Sequence, residues 1–168
     1  GDEGSTYTAH FVEYTTKPTL NIFEFFLLMT GNSLVFTMPR TVKVLKLGYR
    51  EIGYNTVPTG DVETDSDRLD ALYEKARNTL YCCMGSTLMD TPERERTMWL
   101  GDASVEARAL YLAYNGATAL VKKTIDDITA YAKDDVLFSC VPGNVPVDIP
   151  AHGLIALSEY GLFAQYRN

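Results

Sequence analysis

The hydrophobic residues of this 168-residue chain change their spacing near residue 60, and the change restricts the folds open to it. Before that point apolar residues form short runs and alternations, as in residues 41–49, where Val42 and Val44 flank Lys43. Alternation of this kind predicts half-buried strands. We therefore predict four or five short strands over residues 5–54. A helix is the alternative for residues 20–29, where the alternation is poor.

After residue 60 the spacing becomes helical. Ser66 is the predicted N-cap of a first helix, and Gly85 is predicted to end it. Apolar residues at spacings of three and four form one stripe along this helix: Leu69, Leu72, Tyr73, Ala76, Leu80 and Cys83. Three further helices are predicted over residues 102–116, 117–133 and 154–166.

Strands followed by helices predict an α+β chain with two segregated parts. Residues 1–60 are predicted to be antiparallel strands, the remnant of a β-sandwich, and residues 61–168 to be a helical domain. Pro58 and Gly60 mark the connector between them. The sequence stops at the fourth helix, so one apolar helical face lacks a partner. A homo-oligomer that covers this open helical face is one expectation.

Charge and cysteine content bear on several classes of function. The chain has 22 acidic and 15 basic residues, a net charge of −7, which argues against nucleic-acid binding. We expect neither a metal nor a cofactor, because no cysteine or histidine cluster has ligand spacing. The three cysteines are predicted to be buried thiols. No membrane span and no secretory signal are visible, so the compartment, periplasm or cytoplasm, stays open.

Residues 90–102, Asp-Thr-Pro-Glu-Arg-Glu-Arg-Thr-Met-Trp-Leu-Gly-Asp, carry the strongest functional signal. Four acids, two arginines and the only tryptophan of the sequence fall in one predicted loop between helices. A tryptophan desolvates a neighbouring carboxyl group, whereas an arginine keeps one ionised, and glycoside hydrolysis needs carboxyl groups of both kinds. The alternative is a charged turn that only faces solvent, with Trp99 as a core anchor.

This loop resembles the signature of the bacterial α-L-rhamnosidases of glycoside hydrolase family 78. That signature reads approximately Asp-Cys-Pro-x-Arg-(x)-Glu-Arg-x-Gly-Trp-x-Gly-Asp-Ala. The strand-like residues 48–54 and the helical residues 69–80 are also similar to the segments that precede the signature in the family. The resemblance covers residues 40–166 and implies that the helices are α-hairpins of an (α/α)₆ barrel.

The resemblance also implies a role for five residues. Glu95, four residues before the tryptophan, corresponds to the general acid. Asp90 and Asp102 correspond to the aspartates that bind sugar hydroxyls, and Arg94 and Trp99 to the arginine and tryptophan of the substrate site. The implied reaction is inverting hydrolysis of terminal rhamnose from an oligosaccharide or glycoside.

The sequence departs from the family pattern in ways that leave other functions open. Thr91 replaces the usual cysteine and Met98 the usual glycine, which keeps another six-hairpin glycosidase with a different sugar as an alternative. The family's general base lies on a later barrel helix, beyond residue 168. We therefore expect an incomplete chain that is not active alone, and a non-catalytic helical interaction fragment is the third possibility.

Overall fold

The computed structural model describes residues 11–31, 33–142 and 149–167, which form two compact units, Gly1–Leu45 and Lys46–Asn168. The described part of the first unit has no helix and no strand. Its local order comes from Asn21, whose amide nitrogen donates to the carbonyl oxygens of Lys17 at 2.9 Å and Thr19 at 2.6 Å. The rings of Tyr14 and Phe23 pack beside this turn with centroids 4.6 Å apart.

The predicted strands over residues 5–54 are therefore wrong for residues 11–31 and 33–54, and residues 5–10 lie outside the described part. A strand requires backbone hydrogen bonds to a neighbour, and alternation of side chains does not supply that neighbour. Many apolar residues of this stretch are exposed, Phe11 and Ile22 among them, so they cover no sheet face. The helix weighed for residues 20–29 is absent as well.

The second unit contains four helices and one short sheet. In chain order these are α1 (Asp67–Cys83), β1 (Met98–Trp99), α2 (Leu100–Ala113), α3 (Thr118–Ala130), β2 (Cys140–Val141) and α4 (Pro150–Arg167), with a 3₁₀ turn at Asn115–Ala117. The strands are antiparallel, with Met98 opposite Val141 and Trp99 opposite Cys140. All four predicted helices are thus confirmed, and α2 begins two residues before its predicted start. That the helices belong to an (α/α)₆ barrel stays a prediction.

Helix α2 occupies the centre of the unit and contacts α1, α3 and α4. Half of its residues are buried, and most of these are small, such as Ala103 and Ala107. Small side chains let neighbouring helices approach α2 from several sides. Tyr111 and Tyr114, at and just beyond the end of α2, are buried in the same core, as predicted for both.

Only one end of the predicted stripe on α1 is buried. Leu80 and Cys83 lie in the core, whereas Leu69 and Leu72 are 52% and 61% exposed. The prediction of a fully buried stripe is wrong because the helical period determines only which residues share a face. Burial also requires another element that covers that face. Among residues 46–142 and 149–167 the C-terminal turns of α1 have such a cover and the N-terminal turns do not.

The segment before α1 packs against the end of α2. Backbone amides of Thr59 and Gly60 donate to the Ala113 carbonyl oxygen at 2.9 and 3.3 Å, which satisfies a C-terminal carbonyl of the helix. A Cβ atom at position 60 would lie 2.0 Å from the Leu112 carbonyl oxygen, so this approach requires glycine. The predicted domain boundary at residue 60 stays a prediction.

Candidate active site

The loop that carries the motif is closed at its base by Asp90 and Thr97. The Asp90 amide donates to the Thr97 carbonyl oxygen at 3.0 Å, and the Thr97 amide donates to Asp90 Oδ1 at 3.0 Å. Residues 91–96 therefore form a loop with a fixed base. Oδ1 of the Asp90 carboxylate is used to hold that base, and Oδ2 is not part of this pair of hydrogen bonds.

The second anchor is the short sheet. Trp99 pairs with Cys140, and the amide of Leu100 donates to the Ser139 carbonyl oxygen at 2.8 Å. Trp99 is also the N-cap residue of α2, so the loop passes directly into the helix. The backbone of the tryptophan is thus held by both a strand and a helix, which places its indole ring on a rigid support.

Glu95 is joined to two other residues of the motif. The indole Nε1 of Trp99 donates to Glu95 Oε2 at 2.6 Å. The guanidinium group of Arg94 forms an ion pair with Glu95 Oε1. The Arg94 side chain is 79% exposed, so its ion pair lies in solvent, where such pairs contribute little stability. The structure therefore brings together Glu95, Arg94 and Trp99, as the sequence predicted for one site.

Asp90 and Asp102 are gathered around a residue that the sequence analysis did not select, Glu106. Burial, assisted by the charges of Asp102 and Asp90 and opposed by a hydrogen bond with Cys83, raises the pKa of the Glu106 carboxyl to about 8. Glu106 therefore holds a proton at neutral pH. It follows Asp102 by four residues on α2, which places both residues on one face of the helix, but this spacing gives no sign that Glu106 is buried.

The same surroundings keep the Cys83 thiol protonated. Burial first, and the neighbouring Glu106 second, raise the pKa of the Cys83 thiol to about 12. Cys83 is buried as predicted, but Cys82 is exposed and Cys140 is half-buried, so the prediction of three buried thiols is wrong for Cys82. Adjacent residues of a helix point about 100° apart, which explains the different surroundings of Cys82 and Cys83.

Arg96 is a second residue that sequence reasoning missed. Its backbone has a left-handed φ of 54°, which is uncommon for a residue with a side chain, and its Nε donates to the Pro92 carbonyl oxygen at 2.9 Å. One guanidinium nitrogen, Nη2, is buried and has no hydrogen-bond partner in the part of the chain that the structure describes. The loop is therefore a strained turn with a cationic group directed inward.

The two departures from the family pattern have structural roles. Met98 is fully buried in the hydrophobic core, so it packs the interior and does not line a sugar pocket. The hydroxyl of Thr91 accepts a hydrogen bond from the Arg94 amide at 3.3 Å and so supports the turn.

A pocket of about 280 Å³ lies elsewhere in the unit, between residues 51–58, α1 and Tyr114. None of the motif residues lines it. Over residues 11–31, 33–142 and 149–167, no group of three or more histidine, cysteine or acidic side chains is placed to hold a metal ion. Within the same ranges no helix is both long and apolar enough to cross a membrane.

Comparisons with known proteins agree with the motif. The family model described as the bacterial alpha-L-rhamnosidase 6 hairpin glycosidase domain matches residues 58–160. A solved structure, the crystal structure of a GH78 family rhamnosidase of Bacillus sp. GL1, is similar with 25% sequence identity and a TM-score of 0.63. The similarity covers 67% of this chain but 12% of that chain. None of the curated proteins compared with the chain matches it.

Proposed function

The chain belongs to the bacterial α-L-rhamnosidase six-hairpin glycosidase family, which confirms the resemblance of its motif, and from that premise we propose that its protein is a glycoside hydrolase. The finer proposal is inverting hydrolysis of terminal α-L-rhamnose from an oligosaccharide or glycoside. Glu95 is the proposed general acid. The observation that carries this assignment is the 2.6 Å hydrogen bond from the Trp99 indole to Glu95, because it directs one carboxyl oxygen of an otherwise exposed side chain.

In the proposed reaction the Glu95 carboxyl group donates its proton to the glycosidic oxygen as the bond to the anomeric carbon breaks. The carboxyl oxygen that presents this proton to the sugar cannot at the same time receive a hydrogen bond from a donor, so one of the two present partners of Glu95 must be displaced. Breaking the ion pair with Arg94 requires the least free energy, because this ion pair is exposed to water. The Trp99 hydrogen bond then keeps the carboxyl group oriented.

Asp90 and Asp102 are proposed to accept hydrogen bonds from sugar hydroxyls. Asp102 is exposed in the first turn of α2, and Asp90 Oδ2 is not needed to close the loop. A carboxylate that accepts hydrogen bonds from two hydroxyl groups fixes the orientation of a sugar ring. The indole ring of Trp99 is proposed to add an apolar surface, which suits the C–H face of a deoxysugar.

Inverting hydrolysis needs a second carboxylate on the opposite face of the sugar, which activates water. We propose that this base comes from a part of the family domain outside residues 1–168. The expected consequence is that the chain by itself does not turn over substrate. The chain matches 12% of the length of the rhamnosidase structure, which is consistent with a larger catalytic unit.

The test compares Glu95→Gln with Glu93→Gln in the full-length protein. Glutamine cannot donate the required proton, so Glu95→Gln should reduce kcat on an aryl α-L-rhamnoside about 100-fold or more. Glu93 lies in the same exposed loop and serves as the matched control, with activity expected to stay near that of the wild type. Near-normal turnover by Glu95→Gln would contradict the assignment, and turnover of other aryl glycosides in preference to rhamnosides would contradict the substrate.

A non-catalytic interaction role is the second candidate, because one observation favours it. Apolar side chains of α1 and α2 are largely exposed: Leu69, Leu72, Val105 and Leu112. Exposed apolar groups favour self-association, so this candidate expects a homo-oligomer. Light scattering separates the two candidates, since a stable monomer would count against the interaction role.

A further inference from the structure

His152 is the residue that packs against the functional tryptophan from outside the motif. It lies in the first turn of α4, where its amide donates to the Ile149 carbonyl oxygen at 2.8 Å. The imidazole and indole rings are 6.4 Å apart between centroids and cross at 85°. This edge-to-face arrangement is one of the favoured geometries for two aromatic rings.

The first turn of α2 is shaped to accept this ring. A Cβ atom at position 101 would lie 2.8 Å from His152 Nε2, closer than real Cβ atoms come to another atom, and 3.1 Å from Cε1, so the imidazole would have to move. Gly101 therefore leaves the space that the imidazole occupies. Glycine is a poor residue for a helix, so its presence here is explained by close packing and not by helix formation.

The contact acts through the shape of the ring. His152 Nδ1 is buried and has no hydrogen-bond partner among the described residues. A buried nitrogen without a partner weakens the protein, so hydrogen bonding by Nδ1 does not explain why the ring lies there. What the imidazole does provide is a rigid planar ring that packs edge-to-face with the indole ring of Trp99.

The backbone of Trp99 is fixed by β1 and α2, but backbone anchoring leaves the torsion angles of its side chain free. In the observed orientation of the ring the indole N–H donates to Glu95 Oε2 at 2.6 Å, and a rotation of the ring about these angles would move the N–H away from that oxygen. We propose that His152 is a positioning residue, which holds the Trp99 ring at the orientation that keeps its N–H on the Glu95 carboxyl group. The role in catalysis rests on the proposed function, whereas the effect on the Trp99–Glu95 hydrogen bond does not.

The first experiment measures that hydrogen bond directly. Trp99→Phe assigns the indole N–H resonance of Trp99 in a ¹⁵N-labelled sample of the full-length protein. His152→Ala should move this resonance upfield, because a displaced indole loses its carboxylate acceptor, and Glu95→Gln should move it in the same direction. Leu154→Ala, at a residue of α4 that is 72% exposed, is the control and should leave it unchanged.

Two further variants keep the result decisive if His152→Ala does not fold. His152→Phe retains a flat ring and should keep the resonance near its wild-type position. Gly101→Ala should displace the imidazole and move the resonance as His152→Ala does, although alanine is the better helix former. An indole resonance that stays in place in the folded variant, His152→Ala or Gly101→Ala, would overturn the proposal.

The second experiment tests the role in catalysis with two aryl rhamnosides. A displaced acid slows departure of a poor leaving group such as a phenol, and we expect kcat to fall about 10- to 100-fold in His152→Ala. A dinitrophenyl leaving group needs no proton and should lose less than about threefold in the same variant. Equal losses on both substrates would refute a role through the acid.

Different measurements test the role of His152 and the proposed general acid. Full activity of Glu95→Gln on the phenyl substrate would refute the general-acid assignment. In that case the indole resonance of His152→Ala still decides whether His152 orients Trp99.

Discussion

Replacing Glu106 with glutamine should remove a defined part of the pH dependence of stability. Burial, assisted by the charges of Asp102 and Asp90, raises the pKa of the Glu106 carboxyl from 4.5 to about 8. Between these values the folded protein holds a proton that the unfolded chain has released. The stabilisation from Glu106 is therefore fully present below about 4.5 and is lost as the pH rises through about 8.

The size of the effect follows from the two pKa values. A tenfold difference in proton affinity corresponds to about 1.4 kcal/mol, so a rise from 4.5 to about 8 sets an upper limit of about 5 kcal/mol. Glu106 is half-buried, and water screens part of its surroundings. We therefore expect the wild type to lose about 2 to 3 kcal/mol of unfolding free energy between pH 5 and pH 8 through this group.

Glutamine has nearly the same shape as the protonated carboxyl group and stays neutral over this range. Glu106→Gln should match the wild type at pH 5 and exceed its unfolding free energy by about 2 to 3 kcal/mol at pH 8. Urea unfolding at pH 5, 6, 7 and 8 measures both proteins, and Glu93→Gln in the exposed loop is the control. Parallel curves for the wild type and Glu106→Gln would refute the reasoning, because they would mean that Glu106 titrates alike in both states.

Two further predictions concern the thiols and the core. The pKa of the buried Cys83 thiol is raised to about 12, so Cys83 should stay unmodified by iodoacetamide at pH 8 while exposed Cys82 is alkylated. Peptide mass mapping measures both modifications, and faster modification of Cys83 than of Cys82 would contradict its burial. Leu110→Ala should lower the unfolding free energy by about 2 to 5 kcal/mol in urea titrations, whereas Leu112→Ala, at a residue that is 70% exposed, should change it by less than about 1 kcal/mol; equal effects would mean that α2 buries a different face.

The candidate site was partly accessible from the sequence because its residues are close in the chain. Glu95 and Trp99 are four residues apart, and the motif that contains them predicted a shared site before any contact was known. The structure adds a hydrogen bond between the two side chains. The catalytic role of Glu95 and the substrate-binding roles of Asp90, Arg94, Trp99 and Asp102 stay proposals.

Residues that are distant in sequence were harder to assign. His152 follows Trp99 by 53 positions, and a histidine in a loop-like sequence after a proline gives no sign of its neighbour. Glu106 has the ordinary appearance of a charged helical residue, and its raised pKa arises from burial beside Cys83 of α1. Neither property can be read from local spacing, because each depends on which helices pack together.

The same distinction applies to the fold. Periodic spacing predicted the four helices because the position of a side chain on a helix depends only on its own chain neighbours. The prediction of strands was wrong because a strand exists only when another segment pairs with it. A run of apolar residues does not indicate which segment that would be. Short stretches of sequence thus determine where the helices form. Strand pairing, burial and shifted pKa values arise from contacts between segments that lie far apart in the chain.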